Sequence, residues 1–182
     1  MTQGDQRARF EAVVVAHLAD ALTIATWLVG NRTDAEDVVQ EACLRAFRAI
    51  STYNGGSARA WTLAIVRNCA FAWLRKSRSA KLVPFDDLDQ MELARIEAGG
   101  DAANFSAATP ETDMIARADA EQLKAAIENL PAAYREVLVL RDIQGLEYRE
   151  ISQITAVPLG TVMSRLARGR GRLIAALRKP AG

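Results

Sequence analysis

Gly145-Leu-Glu-Tyr-Arg-Glu-Ile-Ser-Gln-Ile-Thr-Ala-Val-Pro-Leu-Gly-Thr-Val-Met-Ser-Arg-Leu-Ala-Arg168, continuing through Gly169-Arg-Gly-Arg172, has the pattern of a helix-turn-helix followed by a run of arginines. The first helix places Leu146, Ile151 and Ile154 on one core-facing stripe. Thr155-Ala156-Val157 then forms a turn, and Pro158 suits the first position of a second helix because its missing N–H would be unpaired there anyway. In such a unit the second helix is the one that enters a DNA groove. From Arg165 to Lys179 there are six basic residues, Arg165, Arg168, Arg170, Arg172, Arg178 and Lys179, and no acidic one. Phosphate neutralisation calls for that composition, and each contact steepens the salt dependence of binding. The blander alternative is a solvated basic face on an ordinary helical hairpin.

The remaining charge is also segregated. The 182-residue chain has a net charge of only +1, which by itself points to no partner. Arg45 to Lys81, however, holds eight basic residues and no acidic one, whereas Asp86 to Glu121 holds ten acidic residues against Arg95 and Arg117. Asn129 to the end is again basic, with nine cations against Glu136, Asp142, Glu147 and Glu150. Two basic blocks are thus separated by an acidic one. No run of alternating apolar residues suggests strands, and the length allows one domain or two small ones, so an all-α build is expected.

Catalytic and metal-binding patterns are not evident. Cys43 and Cys69 lie within apolar helical patterns without Cys-x-x-Cys or His spacing, which predicts buried reduced thiols rather than a zinc site or redox pair. His17 is the only histidine and has no partner spacing for a metal or a triad. Phe10 to Val29 could imitate a membrane span, but Glu11, His17 and Asp20 interrupt it, and a mid-span Asp costs roughly 2.5–3.5 kcal/mol on insertion scales. The N-terminus shows no basic region followed by a short apolar core and cleavage site. A cytoplasmic protein is expected.

Read along the chain, Phe10 to Val29 predicts one amphipathic helix ended by Gly30-Asn31-Arg32. Thr33 to Glu36 has the spacing of a capping box that would start a second helix. Its apolar residues Val38, Val39, Ala42, Cys43, Ala46, Phe47 and Ile50 recur at helical spacing and should face a core. The opposite row holds Asp37, Gln40, Glu41, Leu44, Arg45 and Arg48, and a leucine in that polar row suggests a partner surface. Tyr53 to Ser57 reads as a turn, with Ser57 capping a third helix to about Lys76. That helix interleaves Trp61, Phe71 and Trp73 with Arg59, Arg67, Arg75, Lys76 and Arg78, a mixture that suits single-stranded nucleic acid. Aromatics at this spacing are nonetheless commonly core, and core is the preferred reading of Trp73. Asn68 is harder to explain as core, because its amide can donate to and accept from a base edge. Residues 79–108 lose periodicity and read as an acidic linker, with some helix possible from Leu88 to Ala98. Thr109-Pro110 restarts a helix to about Glu128, and Leu130-Pro131 starts another that ends at Gly145.

Two segments resemble, in order, the domains of bacterial extracytoplasmic-function (ECF) sigma factors, small sigma subunits of RNA polymerase. Asp34-Ala-Glu-Asp-Val-Val-Gln-Glu-Ala-Cys-Leu-Arg-Ala-Phe-Arg48, with Gly55-Gly-Ser-Ala-Arg-Ala-Trp61 and Ile65-Val-Arg-Asn68, resembles sigma-2. Asn129-Leu-Pro-Ala-Ala-Tyr-Arg-Glu-Val-Leu-Val-Leu-Arg141, with Gly145 to Ile151 and Pro158 to Leu166, resembles sigma-4. The resemblance implies two small helical domains, 1–80 and 109–182, joined by an acidic linker at 81–108. The C-terminal domain is the helix-turn-helix.

It also implies partners: core RNA polymerase, promoter DNA and an anti-sigma factor, with no cofactor, no metal, no catalysis and no membrane insertion. Asp37, Gln40, Glu41, Leu44, Arg45 and Arg48 would then dock on the polymerase clamp. Tyr53, Arg59, Trp61, Arg67, Asn68, Arg75, Lys76 and Arg78 would bind the −10 element, with a flipped base held near Asn68. Thr161, Ser164, Arg165 and Arg168, with Arg149, Arg170 and Arg172 nearer phosphates, would bind the −35 element. The linker would run toward the RNA exit path. Three departures from the family pattern stand out: Ala156 stands where glycine is frequent, Met163 where a basic residue is frequent, and the pair Gly169 and Gly171 weakens the second helix enough to let its end fray in the absence of DNA. Two other functions compete with this one. A sigma-like decoy for an anti-sigma factor would need no Asn68 or basic blocks, and a stand-alone repressor leaves the first 80 or so residues unexplained.

Overall fold

The computed structural model describes residues 3–79 and 120–178, and no strand occurs among them. The expected linker at 81–108, the Leu88 to Ala98 helix, the Thr109-Pro110 helix start and Lys179 lie outside the described residues, as do the details of the Arg78 side chain.

The N-terminal half begins with α1 (Gln3–Val13), a 3-10 turn at Val15–His17 and α2 (Leu18–Val29). Phe10 to Val29 is therefore two helices rather than the single one expected. Gly4–Val29 is long and apolar enough by composition to cross a membrane. The apolar residues of α2, however, lie in the protein core: Ala21, Ile24, Ala25 and Leu28, at i, i+3, i+4 and i+7, are all fully buried. Gly30, at φ 91°, ends α2 in the left-handed conformation that favours glycine.

The cap of the next helix is Asn31, not Thr33. Asn31 has extended backbone and its Oδ1 accepts from Asp34 N at 2.9 Å, so α3 (Arg32–Ala49) starts earlier than the Thr33 box implied. Glu36, expected to reach back to the cap, pairs with Arg32 one turn before it, at 2.8 Å. Asn is at least as good an N-cap as Thr, and it directly follows the glycine that frees the chain to turn. The apolar stripe of α3 behaves as expected at Val38, Ala42 and Ala46, with Ala35 buried as well, and Ile50 is buried in the 3-10 turn that follows, Ile50–Thr52. Phe47 is the exception. It stays 39% exposed at the rim, edge-on to Phe10 at 5.4 Å.

Ser57 caps α4 (Ala58–Ser79) as expected, its Oγ accepting from Ala60 N at 3.1 Å. Cys69 is buried and Cys43 only half-buried, which corrects the expectation that both are buried. Both thiols are free, and burial pushes both up from their ordinary range, which makes them weak nucleophiles at neutral pH.

The C-terminal half comprises α5 (Ala120–Glu128), α6 (Ala132–Leu138) with a π turn at Val139–Ile143, α7 (Tyr148–Thr155) and α8 (Leu159–Arg178). Every residue from Tyr134 to Leu140 is buried, so α6 is covered on all sides and sits between α2 and α8. The helix-turn-helix forms as expected, with Leu146, Ile151 and Ile154 buried. A capping box starts α7, formed by Glu147 and Glu150. The turn is closed by Ala156 at φ 56°, ψ 33°, where an L side chain is strained. Pro158 caps α8 rather than opening it, its carbonyl accepting from Val162 N at 3.1 Å.

Helix α8 continues through both glycines to Arg178, with Leu173 and Ile174 buried beyond them. Gly169 itself is buried against α6. A Cβ there would meet the Tyr134 Cβ at 3.4 Å and its carbonyl oxygen at 3.5 Å. The two halves meet through α2 with α6 and α4 with α7, and one continuous set of buried apolar residues runs from Ala21 to Leu173.

Candidate nucleic-acid interface

Three surfaces hold the candidate residues. On α3, Asp37, Gln40, Glu41, Leu44, Arg45 and Arg48 are all exposed, in a row opposite the buried Val38, Ala42 and Ala46. Leu44 stands 55% exposed among them, and Glu41 and Arg45 pair at 2.7 Å beside it. The row is polar at its edges and apolar at its centre.

The second surface is the loop before α4 and the outer side of that helix. Gly55 and Gly56, at φ 97° and 86°, bend the loop, and the Tyr53 hydroxyl donates to the Gly56 carbonyl at 2.8 Å. Tyr53 packs on Trp61 with ring centroids 5.5 Å apart, and the Arg9 guanidinium lies over the Tyr53 ring while donating to the Tyr53 carbonyl. Asn68, Arg75 and Lys76 face solvent. Trp73 and Phe71 are partly buried against the core, in line with the core reading of Trp73.

Arg59 and Arg67 point elsewhere. Arg59 binds Asp20 at 2.7 Å and donates to the Gln144 carbonyl at 3.0 Å. Arg67 lies over the Phe71 ring at 4.5 Å and forks onto Glu136, Nε to Oε2 at 2.7 Å and Nη2 to Oε1 at 3.2 Å.

The third surface is α8 with the start of α7. Arg149 is exposed, and Thr161 and Ser164 are half-buried, the Ser164 hydroxyl donating to the Thr161 carbonyl at 3.0 Å. Arg165 turns toward Glu136, Nη1 to Oε1 at 3.9 Å. One nitrogen of Arg168, Nη1, is buried without a hydrogen-bond partner. Arg170 chelates Asp142, with Nε to Oδ2 at 3.0 Å, and Arg172 lies over the Tyr134 ring at 5.2 Å. The most exposed large side chains of the first turns are instead Leu159 and Met163. Neither belongs to the candidate set drawn from the sequence.

Glu136 is the residue that sequence patterns missed. It lies fully buried on α6 and receives Arg67 from the N-terminal half and Arg165 from the C-terminal half. Burial pushes its carboxyl above the ordinary range, against the opposing pull of the Arg67 hydrogen bond and of the Arg67 and Arg165 charges. The signal was an acid beside Arg135 in a short helix whose other residues are Ala, Tyr, Val and Leu, and a carboxylate buried there requires a partner from elsewhere in the chain. The seam around it is polar: Ser57 Oγ donates to Glu150 at 3.0 Å, Arg135 to the Trp27 carbonyl at 3.1 Å, and Gln144 to the Asp20 carbonyl at 2.6 Å. Among the described residues no cluster of His, Cys, Asp and Glu could hold a metal ion.

Residues 13–80 match the family model described as Sigma-70 region 2, and residues 120–173 match the model for Sigma-70, region 4. The ECF RNA polymerase sigma-E factor of Escherichia coli (strain K12) is 34% identical over 169 residues, which span 92% of this chain and 85% of that protein. The ECF RNA polymerase sigma factor SigE of Mycolicibacterium smegmatis is 33% identical over 176 residues, 93% of this chain and 63% of that one. Among solved structures, the sigma factor RpoE in complex with the anti-sigma factor NepR from Bartonella quintana shares the fold, with a TM-score of 0.67, 24% identity and coverage of 94% of this chain and 98% of that one. CnrH in complex with the cytosolic domain of CnrY does so at a TM-score of 0.57, with 24% identity and coverage of 94% and 88%.

Proposed function

The chain belongs to the ECF sigma factors of the sigma-70 family, and on that premise we propose how its surfaces divide the work of promoter-specific initiation. As a sigma factor it binds core RNA polymerase and directs it to promoters. Residues 1–80 form the part that docks on core and opens the −10 element, residues 109–182 the part that reads the −35 element, and 81–108 the connection between them. The observation that supports this division is the presence of two cationic helices in one chain. Helix α4 presents Asn68, Arg75 and Lys76 to solvent, while α8 has five arginines and no acid.

The α3 row around Leu44 docks on core. Asn68 holds an unstacked base near the Tyr53–Trp61 pair, offsetting the few kcal/mol that unstacking costs. Arg165 and Arg168 work at base edges or nearby phosphates, with Arg149, Arg170 and Arg172 on the backbone. The factor acts in the cytoplasm, contributes no catalysis of its own and is restrained by an anti-sigma protein.

Run-off transcription with core polymerase, with and without this protein, tests the proposal alongside a pull-down of core. Transcripts that depend on the protein are expected, and Asn68→Ala should reduce promoter opening more than core binding. Core binding with no transcript from a panel of promoters would favour a decoy, and failure to bind core would overturn the proposal.

A further inference from the structure

Helix α8 presents an apolar edge where a DNA-reading helix is ordinarily polar. Leu159 is 42% exposed and Met163 51%, and four residues of spacing stack them one turn apart on one face. They are not displaced core residues, since Val162 and Leu166 fill the core side of the same turns. The small residues beside them leave the edge open. The Ser164 hydroxyl is spent on its own helix through the Thr161 carbonyl, and Gly160 is exposed with no atom within 4 Å of where a Cβ would stand, so the backbone can approach a ligand closely.

Charge complementarity identifies the ligand. The rest of α8 has Arg165, Arg168, Arg170, Arg172 and Arg178 and no acid, and these outnumber Glu136 and Asp142, the two carboxylates that pair with Arg165 and Arg170, so the complement of the helix is a polyanion. A polyanion that offers an apolar group to a helix is duplex DNA, whose major groove displays the thymine C5-methyl. RNA is excluded because uracil lacks that methyl and the A-form major groove is too deep and narrow for side chains to read.

We propose that Leu159 and Met163 form an apolar reading edge that selects thymine in the −35 region through its C5-methyl group. The inference rests on α8 being the groove-entering helix. It goes beyond that assignment in naming the base and the chemical group recognised.

The test uses holoenzyme assembled from core polymerase and the full chain. Duplexes randomised across the −35 region are selected for binding, and each selected thymine is then replaced singly by deoxyuridine, which removes only the methyl. At one or two positions the wild-type holoenzyme should lose affinity by about four-fold, the worth of one buried methyl-sized group. Met163→Ala and Leu159→Ala should each abolish the loss at one such position while retaining core binding.

Equal binding of deoxyuridine and thymine at every position, with the −35 region still required, would overturn the thymine assignment and leave the groove-entering role of α8 intact. Binding indifferent to the whole −35 region would overturn both. Loss of core binding in Met163→Ala would make the edge a protein contact and also overturn the proposal.

Discussion

Replacing Leu44 by aspartate should detach this protein from core polymerase without unfolding it. Leu44 leaves 55% of its surface to water, while the core side of α3 is filled by Ala35, Val38, Ala42 and Ala46, so the substitution touches no buried contact. Fully burying a leucine contributes about 1.5–3 kcal/mol, and covering the remaining half of this one on docking therefore contributes about 1 kcal/mol. An aspartate forfeits that and adds the desolvation of a carboxylate against an apolar partner, about 1–3 kcal/mol more. The total of roughly 2–4 kcal/mol corresponds to about 30- to 1,000-fold weaker binding. Titration of labelled protein with core, read by fluorescence anisotropy, covers that range. Thermal unfolding of the variant should stay within about 0.5 kcal/mol of wild type, as for other exposed sites. If Leu44→Asp bound core as tightly as wild type, the docking face would lie elsewhere.

Three further outcomes follow from the geometry. Ala156→Gly should stabilise the chain: left-handed backbone costs an L residue about 1–2 kcal/mol, partly offset by the greater unfolded-state freedom of glycine, for a net gain of about 0.5–1 kcal/mol and a rise of about 2 °C in Tm, and a fall in Tm would contradict the strain at φ 56°. Gly171→Ala should gain about 1 kcal/mol of helix propensity because its Cβ meets open space, and Gly169→Ala should gain at least as much because its Cβ would reach Tyr134 at the van der Waals distances of 3.4 and 3.5 Å; a Gly169→Ala variant destabilised in chemical denaturation would refute that fit between α6 and α8. Since burial raises the Glu136 carboxyl above its ordinary value of about 4.3, the folded state binds a proton there that the unfolded state has released. That contribution to stability is present below the ordinary value and is lost as pH rises through the raised one. Glu136→Gln should therefore flatten the fall in urea midpoint over that window, and identical slopes for the two proteins would count against it.

Much of the molecule was legible because its determinants are local. Ser57 caps α4 and Leu146, Ile151 and Ile154 line one stripe within a few residues of each other, so periodicity and capping rules reach them. Errors arose where two local solutions competed. Asn31 and Thr33 could each start α3, and only the left-handed exit at Gly30 gave the cap to Asn31. Phe10 to Val29 read as one helix because composition does not register the 3-10 turn at Val15–His17.

What the sequence determined by itself is the all-α class, the helix-turn-helix, the segregation of charge and the identity of the candidate rows, all of which depend on neighbours within one or two turns. The tertiary structure alone decided which of those side chains are free to act. Arg59 and Arg67 carry the same charge as Arg75 and Lys76 on the same helix, yet the first two are committed to Asp20, Gln144 and Glu136 while the last two face water. Arg67 and Glu136 are 69 positions apart, and Ser57 and Glu150 are 93 apart. Partnerships at such separations depend on how packed helices bring distant surfaces together, and in a buried seam every charge has to find a partner there, so the fold rather than the pattern sets which cations remain available to DNA.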